Sequence, residues 1–198
     1  MENKSVDFFE AQFRRQVATC EYALNPFEQL AAEFVSGCVL DLGCGLGNLS
    51  IEAARRGAVV TAVDASPSAI EHISNTAAAE GLNLKAVLAD VENYPIAGQY
   101  DTIIAIGILM FLRQEQALQL LSTLKSAVKP GGKAIVNVLT AGTTYMGMFN
   151  GDHYHLFGQD ELAGHFSDWR MLISRNDSFD APGGTRKVFS TVIAKKPG

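Results

Sequence analysis

A chain of 198 residues suits one compact domain, and an apolar fraction of 47% suits an ordinary buried core. The formal net charge is −5, and the basic residues gather only into isolated pairs such as Arg14–Arg15, Arg55–Arg56 and Lys195–Lys196. An acidic chain without a basic stripe is a poor match for nucleic acid phosphates, so the expected partner is a small molecule.

The 3 cysteines, Cys20, Cys38 and Cys44, have no metal-ligand spacing and cannot all pair, which fits reduced thiols and no bound metal. The first residues, MENKSVDFFE, are charged and lack the apolar stretch of a signal peptide. The longest apolar run, Ile103 to Leu112, is 10 residues, well short of the ~20 that span a bilayer. A soluble cytoplasmic protein is expected, away from membranes; its oligomeric state is open.

In chain order, Phe9, Phe13 and Val17 form a helical stripe and predict a helix from about Val6 to Ala18. Asn25 as N-cap, Pro26 at the first helical position and Glu28 two residues later predict a second, with Leu30, Ala31 and Phe34 on one face. Cys38–Leu42 reads as a strand, followed by a glycine loop and a helix from about Gly47 to Arg56. Ala58–Val63 is a second strand ending in Asp64. Ser66-Pro67 then opens a helix with Ile70, Ile73 and Ala77 on its apolar face, which Gly81 closes.

Leu84–Leu88 predicts a third strand just before Asp90. Asp101–Ile108 predicts a fourth, apolar at nearly every position, as in a strand buried on both faces. A helical stripe runs through Arg113–Val128 until Lys129-Pro130-Gly131-Gly132 breaks it, and Lys133–Leu139 is the fifth strand. After a loop over 141–158 come a short helix at Asp160–Phe166 and two strands, Trp169–Ser174 and Lys187–Ala194. A turn at Ala181-Pro182-Gly183-Gly184 joins them. The alternation predicts an α/β fold, a Rossmann-like three-layer sandwich. Its seven-stranded, mostly parallel sheet ends in an antiparallel edge strand.

In such sheets ligands bind beyond the carboxyl ends of the strands, where Asp41, Asp64 and Asp90 stand. The loop Gly43-Cys44-Gly45-Leu46-Gly47 lacks the lysine of a triphosphate loop and the last glycine of the dinucleotide fingerprint. Asp64, 21 residues after Gly43, suits the hydroxyls of a ribose. Loop and acid together indicate an adenosine-bearing cofactor. They leave NAD and S-adenosylmethionine open, and a tight turn beside a solvated acid is the plainer alternative.

VLDLGCGLGNLS (39–50), VDAS (63–66), LADV (88–91), YDTIIAIGILMFL (100–112) and KPGG (129–132) resemble, in order and spacing, the successive motifs of class I S-adenosylmethionine-dependent methyltransferases. The fourth stretch and the chain length also resemble the tellurite-resistance (TehB-like) branch. In that branch the last strands carry basic residues that serve an oxyanion; here the region 174–187 holds Arg175, Arg186 and Lys187.

The resemblance implies one methyltransferase domain over 1–198, with a helical lid at 1–36 and a Rossmann-like core at 37–198. It implies that Gly43, Gly45 and Gly47 pass under the methionine part of S-adenosyl-L-methionine, and that Asp41 orients the loop or receives the ammonium. Asp64 would hold the ribose diol, with Ala65 and Ser66 along the adenine. Asp90 and Val91 would bond the adenine edge, and Ile106 and Gly107 would flank the sulfonium.

The implied activity is in-line methyl transfer to a small-molecule acceptor. A protein that binds S-adenosylmethionine or S-adenosylhomocysteine without catalysis, and an NAD-dependent oxidoreductase, are the alternatives. An amine or hydroxyl acceptor would need a base near the methyl, and the candidates are Gln16, Tyr22, His153 and His155. His153 and His155, two apart in the loop, are read first as exposed loop histidines, over a metal pair that lacks a third ligand. Tyr145, Met146 and Met148 are candidates for an apolar acceptor wall. Ser66 is first an N-cap, Cys44 a small packing residue, and Phe9 and Phe13 helix-packing residues.

Overall fold

The computed structural model describes residues 4–198. Two helices, α1 (Lys4–Thr19) and α2 (Pro26–Ala32), precede the alternating part of the chain. There β1 (Cys38–Leu42), α3 (Asn48–Arg55), β2 (Val59–Asp64), α4 (Pro67–Glu80) and β3 (Leu84–Leu88) build one half of a sheet. Then β4 (Tyr100–Ile106), α5 (Gln114–Ala127), β5 (Val128–Leu139), α6 (Glu161–Gly164), β6 (Arg170–Ala181) and β7 (Thr185–Lys195) complete it. The strand order is β3-β2-β1-β4-β5-β7-β6. The first five strands pair in parallel, and β7 runs antiparallel to both β5 and β6. This is the expected Rossmann-like sheet; its antiparallel strand, β7, lies one place in from β6.

The helix boundaries follow local chemistry. At α2 the Asn25 side chain accepts from the Phe27 and Glu28 amides at 2.9 and 3.0 Å, and the Glu28 carboxylate accepts from the Asn25 amide at 2.8 Å. Such a reciprocal cap stabilises a short helix by about 1 kcal/mol. At α4 the Ser66 hydroxyl accepts from the Ala69 amide at 3.1 Å, Pro67 takes the first helical position, and Gly81 ends the helix left-handed.

Both faces of the sheet are covered, because successive side chains of each central strand go to opposite sides. Leu40, Ile103, Val136 and Val138 pack on one side with Leu121 and Leu124 of α5, Phe166 and Trp169. Val39, Ile104, Ile135 and Ile193 pack on the other with Leu49 and Ala53 of α3 and Ile73 of α4. This double burial explains the unbroken apolar run read in β4.

Three element boundaries differ from the sequence expectation. β4 stops at Ile106, because Gly107 turns left-handed (φ 71°) and the chain enters a 3₁₀ turn at Leu109–Phe111. Lys129-Pro130-Gly131-Gly132 lies inside β5 as a register irregularity opposite Tyr100 and Thr102. A Cβ on Gly132 would stand 2.9 Å from the Asp101 carbonyl oxygen, so the backbones touch where a side chain would part them. The hairpin β6–β7 reaches Ala181 and Thr185, farther than the apolar residues suggested. Arg175 to Asp180 are mostly polar and fall outside both expected strands, yet pair along the sheet edge, where polar side chains meet water.

Candidate active site

The carboxyl ends of β1, β2 and β4 open into a cavity of about 460 Å³, roofed by α1 and α2. Asp41, Gly43 and Gly45 line it from the first crossover. Asp64, Ala65 and Ser66 line it from the second, Asp90 and Val91 from the segment after β3, and Ile106 and Gly107 from the end of β4. The expected cofactor residues thus meet in one place, with the exception of Gly47.

Gly47 does not line the cavity. It starts α3 with φ 69°, and a Cβ there would lie 2.6 Å from Ile73 Cγ1. Its role is to let α3 sit against α4, the packing task of the last glycine in a dinucleotide loop. Gly45 faces the cavity and is covered from above: a Cβ would lie 3.1 Å from the Phe13 ring.

Asp64 is held by the loop it faces. Its Oδ2 accepts from the Gly45 amide at 2.8 Å and its Oδ1 from the Ser66 amide at 2.9 Å. Burial pushes its pKa up, against the pull of the Ser66, Gly45 and Ala65 amides, and Glu10 adds a further push upward. Asp41 is deeper. Its Oδ2 accepts the Ser50 hydroxyl at 2.7 Å, and burial drives its pKa up to about 7 despite that bond, helped by the charges of Glu28 and Asp64. Burial likewise raises Glu28, whose carboxylate caps α2. Clustered acids that resist ionisation, with no Lys or Arg among them, form a receptor for a ligand's positive charge. Cys44 lies in this field; burial and the two aspartates push its thiol pKa well up, which keeps it a packing residue.

α1 contributes more than packing. Phe9, Phe13, Gln12 and Gln16 line the cavity. Glu10 latches the helix to α4 by accepting the Ser66 and Ser68 hydroxyls at 2.5 and 2.6 Å. Burial opposes ionisation of Glu10, but the two hydroxyls, Arg14 and the Ser68 amide outweigh it and hold its pKa at about 2.

Of the four catalytic candidates, Gln16 alone lines the cavity, and its amide can hydrogen-bond an acceptor but not take its proton. Tyr22 stacks on His72 at 4.4 Å between ring centroids, and its hydroxyl donates to the Val17 carbonyl at 3.2 Å. His153 Nδ1 accepts from Arg113 Nε at 3.3 Å, which leaves Nε2–H facing Glu92 Oε1 at 2.7 Å. His155 lies 3.3 Å from Glu161 and packs on Phe157. Both histidines act as ties of the loop over 141–158. Of the expected acceptor wall, Met148 lines the cavity, whereas Tyr145 lies beneath Lys187.

Sequence reasoning missed Phe27, Asn137 and Phe189 as lining residues, assigned Glu28 a capping role alone, and left Lys187 unplaced. Asn137 carried a signal: it is a lone amide in the apolar strand KAIVNVL. It is fully buried, its Nδ2 donates to Thr191 Oγ1 at 2.8 Å, and its Oδ1 has no partner. Among the described residues, no group of His, Cys, Asp and Glu is arranged to hold a metal, and no helix is long and apolar enough to cross a membrane.

Residues 39–132 match a family described as a methyltransferase domain. The probable methyltransferase TehB of Haemophilus influenzae is 29% identical over 174 residues, 84% of this chain and 60% of that protein. A protein named Hemagglutinin 1 of Eikenella corrodens is 30% identical over 175 residues, 85% of this chain and 58% of its own length. The crystal structure of TehB from Haemophilus influenzae superimposes with a TM-score of 0.75 at 25% identity, covering 88% of this chain and 63% of that one. In sequence and in fold the chain is thus similar to S-adenosylmethionine-dependent methyltransferases. It spans about 60% of the length of these relatives.

Proposed function

We propose that this chain is an enzyme that transfers a methyl group from S-adenosyl-L-methionine to a small-molecule acceptor. The observation that carries this reading is the acid-rich end of the cavity, formed by Glu28, Asp41 and Asp64 around the glycine loop and without a basic partner. A dinucleotide would bring its pyrophosphate to such a loop, and these carboxylates would repel it. A cofactor with an ammonium and a sulfonium meets them favourably. The acceptor type is supported by an S-adenosylhomocysteine complex of the same fold. The 1,6-didemethyltoxoflavin-N1-methyltransferase of Burkholderia thailandensis, with its small acceptor bound, has a TM-score of 0.69 at 20% identity and covers 98% of this chain.

The residues fit the cofactor. Asp64, held by two backbone amides, would take the ribose hydroxyls, Asp41 would meet the ammonium, and Asp90 and Val91 would read the adenine edge. When bound, the sulfonium supplies an already activated methyl. The chain's task is to align the acceptor and exclude water, and orientation alone lowers the barrier by roughly 7–11 kcal/mol. The segment 1–36 serves as the lid; its residues 1–3 lie outside the described part. Phe13 over Gly45, with the Glu10 latch, holds the lid across the glycine loop.

Calorimetry with S-adenosylhomocysteine tests the reading and should give a micromolar dissociation constant, with no saturable NADH fluorescence. Methyl transfer to a small acceptor separates an enzyme from a binding protein. The absence of any S-adenosylhomocysteine binding or thermal shift rejects the proposal.

A further inference from the structure

The cavity changes character along its length. The acids stand toward the ends of β1 and β2. Toward β5 and β7 the wall becomes apolar and aromatic, and one basic side chain enters it. Among the described residues lining the cavity, Lys187 is the sole Lys, Arg or His. It lies on β7 half-buried, with Nζ 4.8 Å from the centre of the Tyr145 ring. No carboxylate pairs with it among the described residues. Burial alone pushes its ammonium pKa down. The neighbouring basic residues are already engaged: Arg175 pairs with Asp177 at 2.8 Å, and Arg186 donates to the Gly142 carbonyl at 3.2 Å. An ammonium partly removed from water without a counter-charge is costly, and one aromatic face returns only part of that cost.

The register puts other groups beside it. Asn137 pairs with Thr191 and Leu139 with Phe189, so Asn137, Leu139, Phe189 and Lys187 share one face of the sheet. Phe27 of α2 closes on Phe189 with ring centroids 4.7 Å apart, and Met148 joins the wall. Within this wall the Asn137 Oδ1 is an acceptor without a donor.

We propose that this lobe is the acceptor subsite and that it takes an organic acid: an apolar or aromatic body carrying a carboxylate for Lys187 and an N–H or O–H for Asn137. This rests on the methyltransferase reading above. A bare inorganic oxyanion would satisfy the ammonium and leave the aromatic wall and the Asn137 oxygen unused. From the level of Asn137 to Lys187 is about 13 Å of strand, which suits a ring with a side chain. Lys187 is here a specificity-determining residue, selecting the acceptor by its charge.

The test uses the full chain saturated with S-adenosylhomocysteine and titrated with matched acids and amides: benzoate and benzamide, phenylacetate and phenylacetamide, cinnamate and cinnamamide, indole-3-acetate and indole-3-acetamide. Phosphate and selenite form an inorganic arm. At least one acid should bind about tenfold or more tightly than its amide, a difference of about 1.4 kcal/mol. Lys187→Met should abolish that preference and Lys187→Arg should keep it, with S-adenosylhomocysteine affinity the same in all three proteins. The proposal is overturned if acids and amides bind alike throughout, or if the preference survives Lys187→Met. It is equally overturned if Lys187 governs binding of phosphate or selenite but of none of the organic acids, or if its loss weakens S-adenosylhomocysteine itself. Failure of the wild type to bind S-adenosylhomocysteine overturns the methyltransferase reading instead.

Discussion

Replacing Asp41 by Asn tests the electrostatics of the cofactor end most directly. Burial raises the Asp41 pKa from 3.8 to about 7. The ligand-free folded protein therefore holds a proton there that the unfolded chain has released. The sign follows: Asp41 favours folding fully below the unfolded pKa of 3.8, and that stability is lost as pH rises through about 7. The shift is about 3 units, so this one group removes about 4 kcal/mol of ligand-free stability between pH 4 and pH 8. Asn keeps an oxygen for the Ser50 hydroxyl and adds an amide donor without an evident partner, costing about 1–3 kcal/mol at every pH.

Asp41→Asn should therefore be less stable than wild type near pH 4.5 and more stable near pH 8. Urea denaturation without ligand across that range, with unchanged m-values, reads the crossing. S-adenosylhomocysteine should reverse the order at pH 8, because its ammonium offsets the charge of Asp41, and its affinity for wild type should rise as pH passes 7. Two stability curves that stay parallel across the range, to within about 1 kcal/mol, refute the reasoning.

Three further outcomes are expected. Gly47→Ala should cost about 2–5 kcal/mol in denaturation, adding the collision with Ile73 to the left-handed backbone penalty. Gly57→Ala, at φ 91° with nothing within 4 Å, should show only the backbone part, and equal losses would remove the packing role of Gly47. Glu10→Gln should speed amide exchange along α1 at pH 7. The folded Glu10 pKa of about 2 lies below the ordinary 4.5, so its contribution is present above 4.5 and lost as pH falls toward 2. The stability gap between wild type and Glu10→Gln should close over that interval, and unchanged α1 exchange at pH 7 would count against the latch. His153→Ala should hasten proteolysis within 141–158 and change S-adenosylhomocysteine affinity by less than about threefold; a larger loss would place His153 in the site.

The fold was legible where local chemistry and burial agree. Capping at Asn25 and Ser66, the stop at Gly81 and the apolar run of β4 each fix an element with little outside help. Legibility failed where pairing overrides composition. Arg175 to Asp180 carry the polarity of a loop, but β7 offers them a partner along a solvated edge. Lys129 to Gly132 carry turn chemistry, but the approach of the Asp101 backbone draws them into β5. Neither partner is visible within a short window of sequence.

The candidate site divides the same way. The cofactor end was legible because its residues lie at the ends of strands, and strand ends can be read from periodicity. The proposed acceptor end combines Phe27 with Asn137 and Lys187, which meet only because α2 folds over a sheet whose last strand inserts beside β5. Even there one residue announced itself. Asn137 occupies a buried place in β5 where Ile135 and Leu139, its neighbours on the same face, show what packing alone selects. An amide kept there with an empty acceptor costs stability that no contact within the described protein returns. A ligand donor is the partner that would offset it, so the departure from apolar patterning in β5 supports the proposed acceptor wall more directly than the histidines of the loop do.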